Sequence, residues 1–402
     1  MALFGGLYFV QGVVEPTACL PSQPLQTGLR SSGLDATQVG AFFGGIGLAW
    51  SFKPVFGFAS DFLPLFGTHR RSYLLLSTAA FALGFAALAL AGLRSDTVGV
   101  HALVLGGIGV AIATTDVVVD AVAVEYGQSR GLTGPIQSVQ WGANSAAAML
   151  AGVAGGWLAE RGGLSTTWVV CAALGVGSFA LAALAVREPR HRERPSDNLR
   201  TAAAELRRTG RGWTLVGVAL FQLLWNFNPF TFNVLQLYVT ESLGLSESFY
   251  GGMMSVQSGA ALLACGVYAV ACRRVPFGVW IHLSIALQIA STLAFMFLVG
   301  PRSGMAVAFV FGLTYQLSSL VTLDLAARTC PPAAAATTFA VLMAVANTGG
   351  SLSIWAGGLG FDTLVEHTGS PTTAFHGLVA IGAASTALCW GAVPLLRRAT
   401  LG

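Results

Sequence analysis

Apolar residues arrive in runs of about 20 along the whole of this 402-residue chain, separated by short polar or Gly-rich breaks, and a run of that length crosses the hydrocarbon core of a bilayer as a helix. The runs predict twelve spans, at 2–21, 36–58, 73–93, 99–124, 135–159, 166–186, 213–239, 248–271, 277–299, 303–326, 335–360 and 372–396. Two spans carry a polar residue and a Pro mid-run: Glu15-Pro16 in the first and Asn226-Phe227-Asn228-Pro229 in the seventh. Pro removes a helical N–H and disfavours helix at the residue before it, so both helices are expected to break there.

One long polar stretch, 187–212, is rich in Arg and holds Pro189 and Pro195. It predicts an all-α membrane protein in three parts: a six-helix bundle at 1–186, a basic cytoplasmic linker at 187–212 with a short amphipathic helix near 199–209, and a second six-helix bundle at 213–402. An internal repeat supports the division. Ser32-Gly33-Leu34 followed by Gly40 matches Leu243-Gly244-Leu245 followed by Gly251, and the same offset brings Glu15-Pro16 close to Asn226-Phe227-Asn228-Pro229. Asn144 with Gly155-Gly156 in the fifth span echoes Asn347 with Gly357-Gly358 in the eleventh. Repeated halves with broken helices suit an alternating-access carrier, in which two bundles rock about one central site.

Composition narrows the class. Charged residues are 9% of the chain, hydrophobic residues 54%, and the mean hydropathy is +0.70; soluble domains carry about 25% charged residues. The 50 Gly predict helices packed closely through small residues. The first span starts at Met1, which leaves no room for a charged leader segment. With the amino terminus in the cytoplasm, seventeen basic residues fall at cytoplasmic ends and only Arg30, Arg94, Arg161 and Arg302 outside. That bias predicts both termini in the cytoplasm, in a bacterial inner membrane. The net charge of +4 is then a topology signal rather than a nucleic-acid footprint. No His-Glu-x-x-His helix or Gly-x-x-x-x-Gly-Lys loop occurs, so no enzyme, metal or cofactor is expected, and the six Cys read as small packing residues.

Ionisable residues inside spans are functional candidates, since each costs about 2.5–3.5 kcal/mol on insertion scales. Asp116 and Asp120 lie one turn apart on one face of the fourth span. They read as a proton acceptor or substrate anchor, or as a structural pair with one Asp bonded to Arg71 or Arg130 at the cytoplasmic end and the other to a neighbouring helix. Glu15 is expected near the midplane as a second proton or substrate group. Asp324 and Arg328 read as an intrahelical pair that stabilises the gate. Amides gather on helices expected to line a cavity: Gln11, then Gln137, Gln140 and Asn144 with Trp141 beside them, then Asn226, Asn228, Gln236, Gln316 and Asn347. They read either as helix-to-helix hydrogen bonds or as the edge-reading groups of a site for a flat heteroaromatic solute.

The remaining polar island runs from Lys53-Pro54-Val55-Phe56-Gly57 through Ser60-Asp61 and the Pro64-containing spacer to Gly67-Thr68-His69-Arg70-Arg71. It resembles the loop between helices 2 and 3 of the major facilitator superfamily. With Asp116 to Glu125, Phe227-Asn228-Pro229 and the stretch from Cys330-Pro331 to Asn347, it resembles the folate–biopterin transporter branch of that superfamily. The resemblance implies twelve helices in two bundles and proton-driven import of folate- or pterin-like solutes by a monomer. Carried over by position, Lys53, Asp61, Arg70 and Arg71 are gate residues, Asp116, Asp120 and Glu125 the helix-4 acids, and Asn228-Pro229 the helix-7 break. The run Pro332 to Ala336 departs from the family pattern by lacking an acid, which predicts a weaker contact opposite Asp61. The alternatives are a muropeptide or other organic-metabolite permease, whose family shares the paired acids, and a non-transporting membrane receptor.

Overall fold

In the helix Arg71–Ala91, Leu76, Leu83 and Leu90 recur every seven residues and are 49%, 71% and 91% exposed. On the opposite face Ser77 and Thr78 are buried, and the Ser77 hydroxyl lies 2.7 Å from that of Thr115. Apolar outside and polar inside is the pattern of a helix solvated by lipid. A computed structural model describes residues 1–17, 19–34, 42–43, 45–94, 96–161, 163–188, 211–231, 234–235 and 238–400. The amphipathic helix expected near 199–209, and Gln236, lie outside the described residues.

The helices are α1 (Ala2–Val14), α2 (Ser22–Ser31), α3 (Lys53–Phe62) after a 3-10 turn at Leu48–Phe52, α4 (Arg71–Ala91), α5 (Val98–Gln128), α6 (Thr133–Glu160) and α7 (Leu164–Ala185). They continue as α8 (Arg211–Trp225), α9 (Glu247–Ala271), α10 (Phe277–Ala294), α11 (Pro301–Thr329), α12 (Ala335–Thr368) and α13 (Pro371–Thr400). Among the described residues eight helices are long and apolar enough to cross a membrane, and Ala2–Val14 and Gly212–Trp225 are shorter apolar helices. The short ones are the two expected to break. Glu15 is extended (ψ 120°) ahead of Pro16, and its carboxylate accepts from the Thr17 N–H at 3.0 Å and hydroxyl at 2.6 Å, supplying a partner that the helix no longer provides. After Trp225 the chain turns at Asn228-Pro229, where the Asn228 side-chain amide donates to the Trp225 carbonyl at 3.0 Å.

The chain divides into two compact units, described in turn. The first comprises Met1–Arg130, Val139–Ala204 and Pro331–Ala340; the second comprises Gly131–Ser138, Glu205–Cys330 and Val341–Gly402. The first has a core of Val14, Leu25, Leu29, Ile108 and Ile112, with Phe85 stacked on Trp168 at 5.7 Å. The second is built on rings: Tyr238 stacks on Phe375 at 4.1 Å, Phe230 meets Phe295 at 4.9 Å, and Tyr315 packs on Phe311 at 5.0 Å and on Trp225 at 5.1 Å.

In both units a small-residue helix lies against a broken helix. A methyl group added to Gly12 of α1 would sit 2.4 Å from the Asn144 Oδ1 of α6, and one on Gly155 would sit 3.2 Å from the Leu20 carbonyl oxygen. In the second unit a methyl on Gly349 of α12 would lie 2.7 Å from the Leu223 carbonyl oxygen, and one on Gly357 only 2.1 Å from that of Pro229. The sequence echo between the fifth and eleventh spans therefore has a packing basis. Gly357→Ala should destabilise the protein by about 1–3 kcal/mol through overpacking, whereas Gly106→Ala, with open space at its Cβ position, should leave stability unchanged. Thermal unfolding of the two variants in detergent, side by side with the unsubstituted protein, measures the difference.

Candidate functional site

A polar cluster in the first unit is organised around the two acids of α5, whose one-turn spacing aims both carboxylates at the same neighbours. Asp116 and Asp120 are both buried. Asp116 pairs with the Lys53 ammonium at 2.5 Å and accepts from the Gln11 side-chain amide at 2.6 Å. Asp120 accepts from the Tyr8 hydroxyl and, at 3.3 Å, from the Gln140 amide. The Lys53 ammonium also lies over the Trp50 ring, 4.4 Å from its centroid. Donors from α1, α3 and α6 thus converge on one face of α5. Of the structural alternative for the acids, the bond to a neighbouring helix is seen at Asp120, but the arginines have other partners: the Arg71 guanidinium donates to the Ala183 carbonyl at 3.4 Å, and Arg130 stacks on Tyr126 and donates to Ser129.

The second cluster is the latch at the other end of α3. Arg70 donates to Asp61 at 2.6 Å, to Glu125 at 2.6 Å and to the Ser60 hydroxyl at 2.9 Å. Burial alone would lower the Arg70 pKa, but the Glu125 and Asp61 carboxylates outweigh it and raise that pKa above its ordinary value. The carboxylate of Asp61 also accepts from the Thr337 N–H at 2.7 Å, its hydroxyl at 2.6 Å, and the Ala336 N–H at 3.3 Å, at the start of α12. A carboxylate is favoured at a helix N-terminus, where backbone N–H groups are free. Those donors are backbone groups and a hydroxyl, so the missing acid in the Pro332 to Ala336 run removes no partner from Asp61. Smallness serves there instead: a methyl on Gly57 would meet the Ala336 carbonyl oxygen at 2.8 Å.

Two residues of the sequence motif lie apart from the ion pairs of Arg70. Lys53 is not part of the latch but the counter-ion of Asp116. Arg71 contributes only its backbone: its N–H, with those of His69 and Arg70, donates to the Glu188 carboxylate at 2.8–2.9 Å. The spacer before it closes in a tight turn, with a bridge between Leu65 and Thr68 and positive φ at Phe66 (51°) and Gly67 (80°), the backbone twist of a two-residue hairpin.

In the second unit Arg328 grips Asp324 through two nitrogens, at 3.0 and 3.1 Å, as the i, i+4 spacing predicts. Tyr268 donates to the same carboxylate at 3.1 Å, and the guanidinium lies over Phe277. Gln137 and Gln140 are buried. Trp141 is half-buried. Asn226 donates back to the Gln222 carbonyl at 2.8 Å, and Asn347 is exposed on α12. The Asn228 Oδ1 and the Gln316 side-chain amide nitrogen are buried with no partner among the described residues. Tyr8 and Glu188 escaped sequence reading; Tyr8, Gln11 and Glu15 do fall on one helical stripe, which is the signal that marks α1 as a site helix.

A solved major facilitator superfamily transporter, FucP in the outward conformation, superposes with a TM-score of 0.72 at 14% identity, covering 99% of this chain and 98% of that one. The fold is therefore that of the major facilitator superfamily. Within it, the sequence profile of the BT1 family matches residues 19–399, and the chain belongs to that family. A folate-biopterin transporter from Synechocystis sp. is 30% identical over 372 residues, spanning 88% of this chain and 73% of the relative. A probable folate-biopterin transporter 2 from Arabidopsis thaliana is 24% identical over 348 residues, spanning 78% and 66%. These relatives are transporters, not enzymes.

The two adjacent arginines differ sharply in their surroundings. Arg70→Ala removes the counter-ion of the Asp61 carboxylate, whose side chain is 0% exposed, and should cost about 3–5 kcal/mol. Arg71→Ala should cost no more than about 0.5 kcal/mol. Equal melting temperatures for the two variants would contradict the assignment.

Proposed function

We propose that this protein is a secondary carrier that imports folate- or pterin-like solutes together with protons by alternating access. The observation that carries the reading is the α5 cluster: two buried carboxylates one turn apart, served by a single ammonium and by donors from α1 and α6. A charged group inside a membrane is retained where it binds a substrate or a proton, and two acids against one cation leave room for one proton to come and go. The pterin specificity rests on membership of the BT1 family and on the substrate in the name of the Synechocystis relative.

The full reading is a monomer of twelve membrane helices in two bundles, 1–186 and 213–402, joined by a cytoplasmic linker at 187–212. Both termini face the cytoplasm of a bacterial cell, and the protein sits in its inner membrane. Asp116, Asp120 and Glu15 serve protons and substrate, with Gln137, Gln140, Trp141, Asn144, Asn226, Asn228 and Asn347 as lining groups. Asp61, Arg70, Asp324 and Arg328 hold the gates. A pterin's amino-pyrimidinone edge donates two hydrogen bonds to a carboxylate while an aromatic side chain stacks on its face.

Uptake of labelled folate and of a simple pterin into proteoliposomes, with and without an inward proton gradient, tests this. Gradient-stimulated uptake of either compound is expected, and Asp116→Asn should abolish the stimulation. Uptake of neither compound would remove the substrate class, and undiminished stimulation in Asp116→Asn would remove that residue's role.

A further inference from the structure

Of the 21 basic residues in this chain, only Lys53 is a lysine. Every other cation, surface or buried, is an arginine. Where the structure needs a fixed buried pair it uses the guanidinium fork: Arg70 on Asp61, Glu125 and Ser60, and Arg328 on both oxygens of Asp324. A planar fork locks carboxylates at two points, whereas an ammonium is a compact charge with rotatable donors on a flexible stem. The lone ammonium, buried and resting on a single oxygen of Asp116, is built to exchange partners.

Its surroundings allow the exchange. Asp116 has a second donor in Gln11, bonded to its other oxygen, so it stays anchored when Lys53 leaves. Half-buried Trp50 lies beside the ammonium and offers an aromatic face next to the charge. The titratable groups facing Asp116 are Lys53 from α3, Tyr8 from α1, and Asp120 from its own helix.

We infer that Lys53 is the anion site of the transported compound: a carboxylate on a flat ring substrate takes the place of Asp116 on the ammonium, and Asp116 takes up one proton from solution as it is released. The proposal deepens the carrier reading above and rests on it. The only covalent bond made is the O–H of Asp116, and it breaks again when the substrate leaves and Asp116 returns to Lys53. One proton therefore accompanies each substrate molecule, and with a singly charged substrate the pair moves no net charge.

Calorimetric titration of the purified full chain in lipid nanodiscs tests this with two probes, pterin-6-carboxylate and the uncharged 6-hydroxymethylpterin. Each titration is run in two buffers of different ionisation enthalpy, which reports protons taken up on binding. The carboxylate is expected to bind at least about tenfold more tightly, as a buried charge pair allows, with one proton taken up per molecule, and the uncharged pterin with none. Lys53→Gln alone would strand Asp116, so the variant to use is the neutral pair Lys53→Gln/Asp116→Asn. It should lose both the carboxylate preference and the proton uptake, so that the two probes bind it with equal affinity, whatever that affinity is. Equal affinity for the two probes, or unchanged preference and proton uptake in the double variant, would overturn the inference. Binding of the uncharged pterin but not the carboxylate would overturn it while leaving the carrier reading in place. Binding of neither would remove the pterin substrate and the anion site together.

Discussion

Charge has no solvent inside a bilayer, and each deep ionic group in this protein is held by chemistry suited to that fact. The Lys53–Asp116 pair is the centre of the first unit, because four segments (α1, α3, α5 and α6) meet around it and its neighbour Asp120. Broken by removal of one member, a buried pair leaves a stranded charge that costs several kcal/mol. Kept intact, it fixes how α1 and α3 lie against α5, since only one arrangement brings an amide, a phenol and an ammonium to two carboxylates at once. The latch repeats the principle with different hardware: Arg70 bridges α3 to the end of α5, and the Asp61 carboxylate goes on to the backbone at the start of α12.

The same scarcity of water governs the backbone. A helix end in hydrocarbon exposes N–H and C=O groups that lipid cannot satisfy. At both breaks a side chain close in sequence steps in, Glu15 at the first and Asn228 at the second. Glycines on α6 and α12 then bring another backbone directly against the break, as Gly155 does at Leu20 and Gly357 at Pro229. Close approach of this kind replaces the hydrophobic drive that holds soluble helices together, because lipid tails are as apolar as the side chains they would displace.

Much of this was legible in the sequence. Run length gave the long helices, and the expected limits of α5 and α9 fall within a few residues of those observed, whereas the span expected at 36–58 is described as a 3-10 turn at Leu48–Phe52 and the short helix Lys53–Phe62. Glu15-Pro16 and Asn228-Pro229 announced the breaks, and the i, i+4 spacing announced the acid pair and the Asp324–Arg328 bridge. What stayed hidden was partner choice. Tyr8 and Gln11 lie 112 and 105 residues from the acids they serve, and no local pattern encodes that meeting. Arg70 and Arg71 are identical as letters; only the start of α4 between them decides that one turns inward and the other outward. Lys53 and Asp61 were grouped because they share one motif. Eight residues of helix separate them by about 12 Å, enough to send the two ends of that motif to different clusters.

The separation in sequence of the latch's partners also orders its assembly during synthesis. Asp61 and Arg70 are nine residues apart, and Glu125 follows Arg70 by 55. Glu188, which ties the amides of His69, Arg70 and Arg71 together, follows within another 63, from the 118-residue gap to Arg70 less the 55 to Glu125. Every charged group of the latch therefore has a partner before the ribosome has begun the second half of the chain. Thr337, 276 residues after Asp61, is the last partner to be made. A half-made protein waiting in the membrane holds no naked carboxylate at this corner, only one with lone pairs to spare.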